Sequence, residues 1–102
     1  MMSPLIEEKH LSLAREILRA HLATGAAVYI FGSRATGTAR PYSDLDLALD
    51  DRQQPAPLAL LAKMSLAFAE SLLPYPVDLV DLNAVSAEFR AAIKKTLVPL
   101  SF

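Results

Sequence analysis

The chain has 102 residues, of which 53% are hydrophobic and 21% charged, with a formal net charge of −1 and a pI near 6.1. This length predicts one domain, residues 1–102, with a single core, and the composition excludes a disordered or fibrous chain. The near-neutral balance excludes a binder held on nucleic acid by bulk positive charge, and the absence of cysteine excludes disulfide scaffolds, thiolate zinc sites and thiol catalysis. No direct nucleic-acid partner is expected. With no basic leader ahead of Glu7–Glu8 and no long uncharged apolar run, the sequence predicts a cytoplasmic protein with no membrane partner.

In chain order, the first predicted element is an amphipathic helix, with Ser3 as its cap, Pro4 at its first position and Glu7 and Glu8 in its opening turns. Its apolar stripe is Leu11, Ala14, Ile17, Leu18 and Leu22, and Gly25 ends it. A short apolar strand follows at 26–31 and stops at Gly32-Ser33. Residues 33–38 predict a short helix, 40–43 a loop, 45–49 a second strand and 50–57 the most loop-like stretch. The next helix runs from Leu58 to Leu73 and is terminated by Pro74. A third strand covers 76–82, and a last helix, capped by Ser86, carries Phe89, Ile93 and Leu97. This order argues an α/β (α+β) domain whose small mixed sheet of three to four strands is covered by helices.

Three acids interrupt apolar strands. Asp44 and Asp46 stand two apart, so a strand projects both to one side, roughly 7 Å apart at their Cα atoms. Asp78 lies between Val77 and Leu79 and joins them if the third strand lies alongside. Three neighbouring carboxylates repel one another unless a cation neutralises them, and Mg²⁺ takes such oxygens together with substrate phosphates. Asp81 competes for the third place, but alternation turns it to the opposite face, where it reads as a solvent-facing or turn-capping residue. The Gly32-Ser33 step supplies a cradle: the glycine allows close backbone approach, the following turn offers free N–H groups, and the Ser33 hydroxyl can bond a phosphate. Taken singly, Gly-Ser is common loop punctuation and Asp-x-Asp is usually a solvated face. The combination of strand, Gly-Ser, ten-residue spacer, Asp44-Leu45-Asp46 and Asp78 is far more specific.

The segment GSRATGTARPYSDLDL resembles the Gly-Ser-x10-Asp-x-Asp signature of the DNA polymerase beta nucleotidyltransferase superfamily, and with PVDLVDL and the short length it is similar to its smallest branch, the minimal nucleotidyltransferases. The resemblance implies the nucleotidyltransferase fold. It assigns Gly32 and Ser33 to phosphate binding, Asp44, Asp46 and Asp78 to two Mg²⁺ ions and catalysis, and ATP as substrate. It also implies a partner. Members of this branch are antidotes to HEPN-domain ribonuclease toxins and attach AMP to a toxin tyrosine. A chain this short leaves no room for a domain that holds the acceptor, so a partner protein is expected to supply it. The alternatives are a non-catalytic antitoxin that neutralises its partner by contact, and a small-molecule nucleotidyltransferase.

Several side chains carry softer expectations. Arg34 and Arg40 flank the cradle, Arg34 being the better placed to pair with the triphosphate. Ser43 is placed with the nucleotide-binding residues, or fixes the loop before Asp44. Tyr42 reads as an exposed loop tyrosine, Asp50 and Asp51 as solvated acids, and His10 and His21 as surface residues of the first helix. The Leu58–Leu73 helix and the tail Leu97–Phe102 hold more apolar residues than one small core easily covers, which makes them candidate partner surfaces.

Overall fold

A four-stranded mixed sheet in the order β3-β2-β1-β4 organises the domain, as described for residues 6–102 by a computed structural model. Its elements are α1 (Glu8–His21), β1 (Ala27–Phe31), α2 (Ser33–Thr36), β2 (Leu45–Asp50), α3 (Leu58–Ala69), β3 (Val77–Asp81), α4 (Ala87–Lys94) and β4 (Val98–Pro99). β1 runs antiparallel to both β2 and β4, while β2 and β3 are parallel and joined through α3, as a parallel pair requires a crossover.

Alternation sorts the strand residues onto two faces. One face carries Val28, Ile30, Leu45, Leu47 and Leu49, packed with Val77 and Leu79 against Ala14 and Leu18 of α1 and Met64 and Phe68 of α3. This is the main core. The other face holds a smaller cluster of Phe31, Ala48 and Leu82 with Tyr29, Val80, Ile93 and Leu97, covered by α4. Leu47 is fully buried at the centre of the main core. Leu47→Ala is expected to cost about 2–5 kcal/mol in urea unfolding, because a tightly packed site cannot close over the lost volume.

Some predicted boundaries move. Ser3 and Pro4 lie outside the described residues. The helix begins at Glu8 with Glu7 as its N-cap, so Glu7 stands ahead of the opening turn. It stops at His21, and Gly25 serves the following turn in the left-handed region. α3 ends at Ala69, well short of Pro74, because Glu70 closes its last turn. Ser86 caps α4 as expected, accepting a hydrogen bond from the Phe89 amide at 3.1 Å. The tail is not a free apolar surface: β4 adds to β1, the Leu100 amide donates to Val28, and Leu100 is buried in the main core.

The 50–57 loop is more tightly built than its composition suggests. Asp51 is buried, with Arg52 Nε 3.3 Å from its carboxylate, and Asp50 accepts from the Gln53 amide and the Asn83 side chain. Neither is simply a solvated acid. Asp81 is also buried, its carboxylate accepting from the Ala56 and Asn83 amides. It caps turns, as expected, but inside the protein, since two backbone donors offset the cost of burying its charge.

Candidate active site

One row crosses the sheet at the end where β1 finishes and β2 and β3 begin: Phe31 pairs with Asp46, and Asp46 with Asp78. Directly paired residues share a face, so the two acids stand side by side on the face that α4 covers only in part. The Phe31 ring meets Phe89 of α4 edge-on at 6.3 Å between centroids and forms the apolar wall beside them. Asp44, just ahead of β2, completes the group. Burial first, and then the charges of Asp78 and Asp44, hold the Asp46 carboxyl above the usual carboxylate range, with Arg34 opposing. Burial makes the larger contribution to that upward push, and the neighbouring like charges add to it.

The chain turns immediately beyond Phe31. Gly32 has φ 72° and ψ −153°, and the four-residue α2 starts at Ser33. A Cβ on Gly32 would overlap an Asp46 carboxylate oxygen and lie 3.2 Å from its Cγ. The turn and the carboxylate therefore touch, which puts the Gly32-Ser33 cradle and the acids in one site. The Gly32 carbonyl accepts from the Ala35 and Thr36 amides, and Gly37 closes the short helix in a left-handed conformation. α2 opens at Ser33, and the first N–H groups of a helix have no carbonyl ahead of them within it.

Mg²⁺ usually takes one or two carboxylates and completes its shell with water and phosphate, and this donor set fits that pattern. Asp46 and Asp78 in register, with Asp44 beside them, form an open half-site of hard oxygens whose repulsion a cation would relieve. Among the described residues no three such groups close into a preformed cage. Asp44 and Asp78 are exposed and Asp46 is half-buried, so the row itself lies open. A concavity of about 640 Å³ lies at the start of β1, between Arg19, Leu22, Gly25, Leu100 and Phe102, and contains none of the three acids.

Arg34, expected beside the triphosphate, has its guanidinium against the loop that leads to Asp44. It is only 4% exposed, and its guanidinium donates to the Ser43, Pro41 and Arg40 carbonyls while lying over the Tyr75 ring, 3.9 Å from the centroid. Ser43 acts on the loop: its Oγ accepts from the Arg40 amide at 2.8 Å and its carbonyl from Arg34. Tyr42 is 81% exposed between them, as predicted. His10 is not a free surface residue but stands edge-on to Tyr75 at 5.4 Å. Tyr75 was not singled out by sequence reasoning, although a lone aromatic between Pro74 and Pro76, just ahead of an acidic strand, is a signal for a fixed ring.

The family model described as "Polymerase beta, Nucleotidyltransferase" matches residues 10–100. The chain belongs to this nucleotidyltransferase family. A relative from Haemophilus influenzae named "Probable protein adenylyltransferase MntA" is 42% identical over 95 residues, which cover 91% of this chain and 80% of the relative. Among solved structures, a minimal nucleotidyltransferase superposes with TM-score 0.68 at 30% identity, covering 90% of both chains. A toxin–antitoxin structure with AMP-PNP has TM-score 0.74 at 24% identity and covers 89% of this chain and 72% of the other. A toxin–antitoxin MntA–HpeT mutant gives 0.71 at 20%, with 94% and 73% covered. The last two speak for the nucleotidyltransferase fold.

Proposed function

We propose that the chain is an ATP-dependent protein adenylyltransferase, transferring AMP to a hydroxyl, in the first instance a tyrosine, of a HEPN-domain ribonuclease toxin and thereby acting as its antitoxin. The observation that carries this reading is the contact of the Gly32 turn with Asp46, beside Asp78 in the next strand. Support for the acceptor comes from likeness: the relative at 42% identity is named a protein adenylyltransferase, and toxin–antitoxin structures share the fold. The open carboxylate ledge also suits an acceptor presented by another protein, since small substrates are normally enclosed in a pocket.

In this reading the Gly32 and Ser33 backbone and the Ser33 hydroxyl hold the triphosphate, and Asp44, Asp46 and Asp78 are the residues that would hold Mg²⁺. The acceptor oxygen attacks the α-phosphorus, the bond to the bridging oxygen breaks, and pyrophosphate leaves. Asp78, at the rim of the row, takes the proton of the acceptor hydroxyl. The metal, when bound, supplies neutralisation of phosphate charge and stabilisation of the leaving oxygen.

Intact-protein mass spectrometry of a cognate HEPN-domain partner, co-expressed with this chain, tests the reading. One or more AMP units on the partner are expected, and none with Asp44→Asn/Asp46→Asn. A second reading, neutralisation by contact alone, draws on the outward Leu58, Leu66 and Leu72 along α3 and the turn after it. An unmodified yet silenced partner would establish that reading and remove the enzymatic one.

A further inference from the structure

The strongest feature outside the carboxylate row is the clasp around Arg34. Its Nε lies 3.1 Å from the Ser43 carbonyl, and its Nη2 lies 2.7 Å from the same oxygen, 3.1 Å from Pro41 and 3.5 Å from Arg40. The Arg40–Ser43 turn also closes on itself, the Ser43 amide donating to Arg40 and the Arg40 amide to Ser43 Oγ. On the far side of Asp44, the Leu45 amide donates to the Pro76 carbonyl at 2.9 Å. Asp44, itself exposed, is thus held through both chain neighbours: Ser43 by Arg34, and Leu45 by the residue after Tyr75.

We infer that Arg34 is a positioning residue, which fixes the Arg40–Ser43 backbone from beneath and so sets the Asp44 carboxylate beside Asp46. The inference rests on the proposed metal-holding role of Asp44. A buried arginine fits the task because its planar guanidinium can donate to several carbonyls in its plane while its face lies on an aromatic ring. A lysine ammonium is a point donor with no face to stack, and it is more strongly hydrated. The carbonyls of Pro41 and Ser43 flank Tyr42, so the same clasp pins the backbone of an otherwise solvent-borne tyrosine. Groups that orient metal ligands typically change metal affinity about 10–100-fold when removed.

The test compares wild type, Arg34→Lys and Arg34→Met by hydrogen exchange without nucleotide, by Mn²⁺ titration, and by AMP transfer with kcat and acceptor KM separated. The inference expects amides of residues 40–45 to exchange at least about tenfold faster in both variants, as a loosened loop would. Mn²⁺ binding should weaken about 10–100-fold, and kcat should fall while acceptor KM stays within about twofold. Restoration of loop protection and Mn²⁺ affinity by lysine would overturn it, as would unchanged loop exchange in a folded Arg34→Met protein. Should neither variant fold, nuclear magnetic resonance of the wild type decides. An Arg34 Nε–H shielded from water exchange before nucleotide is added supports the clasp, and a freely exchanging one refutes it. If the wild type transfers no AMP, the adenylyltransferase reading fails while the exchange and Mn²⁺ results still judge the clasp.

Discussion

Asp46→Asn is expected to abolish AMP transfer, by roughly 10³-fold or more, and at the same time to make the protein slightly more stable at neutral pH. The loss follows from the place of Asp46 at the centre of the row, in contact with the Gly32 turn and in register with Asp78. The gain follows from the raised pKa of its carboxyl. An acid whose folded-state pKa lies above its unfolded value is penalised by folding in its ionised form. The penalty is fully present above the folded pKa and disappears as pH falls through the ordinary carboxylate range. Because the group is only partly buried, solvent screens the effect and the benefit is modest, about 1–3 °C in Tm near pH 7, vanishing towards pH 4. Thermal scans of both proteins across that range check it. Mg²⁺ should raise the Tm of the wild type more than that of the variant, since a ligand stabilises the state that binds it. A variant no more stable than wild type at neutral pH would mean that neither burial nor the neighbouring acids penalise the ionised Asp46 carboxyl.

Gly32→Ala is the second large effect. Alanine at φ 72° and ψ −153° occupies a region essentially reserved for glycine, at a cost of about 1–3 kcal/mol. Its methyl group would also displace the Asp46 carboxylate. Activity should fall by at least about 10²-fold, more than the lost stability explains, because the Gly32 turn and the oxygen proposed to bind metal would move together. Gly25→Ala provides the comparison. Its φ is 96°, yet the nearest atom to an added Cβ is a flexible Arg52 side-chain carbon at 3.4 Å, remote from the acids. That variant should unfold more readily in urea while keeping its turnover at low temperature. Equal activity losses in the two would show that backbone strain, not the carboxylate contact, governs Gly32.

Much of this was legible in the chain, for identifiable reasons. Period-two alternation in 45–50 separates Leu45, Leu47 and Leu49 from Asp46 and Ala48, and that division is the division between the two sheet faces. Gly-Ser after an apolar run announced the turn, and Ser86 announced its helix, because both rest on local backbone chemistry. The parts that escaped depend on contacts distant in sequence. Whether Arg34 meets a phosphate or a loop depends on Tyr75 and on how the 40–43 turn folds back. Asp51 and Asp81 look solvated in a polar loop and at a strand end, and only the packing of 50–57 beneath β3 encloses them. β4 was hidden because two residues ending in proline carry no strand pattern of their own. Proline suits an edge, where its missing N–H costs no ladder bond.

That short edge strand has a consequence for the order in which the molecule becomes competent. β1, whose last residue leads into the Gly32 turn, sits between β2 and β4, and Ile30 finds one of its partners, Val98, only far along the chain. Contacts between segments so distant in sequence are slow to form, because the loop entropy is lost before the pairing repays it. Until Val98–Leu100 pairs, β1 has an open hydrogen-bonding edge and the main core lacks Leu100. A chain that ends before Val98 should therefore retain both sequence motifs while the strand that leads into the Gly32 turn is held from one side only.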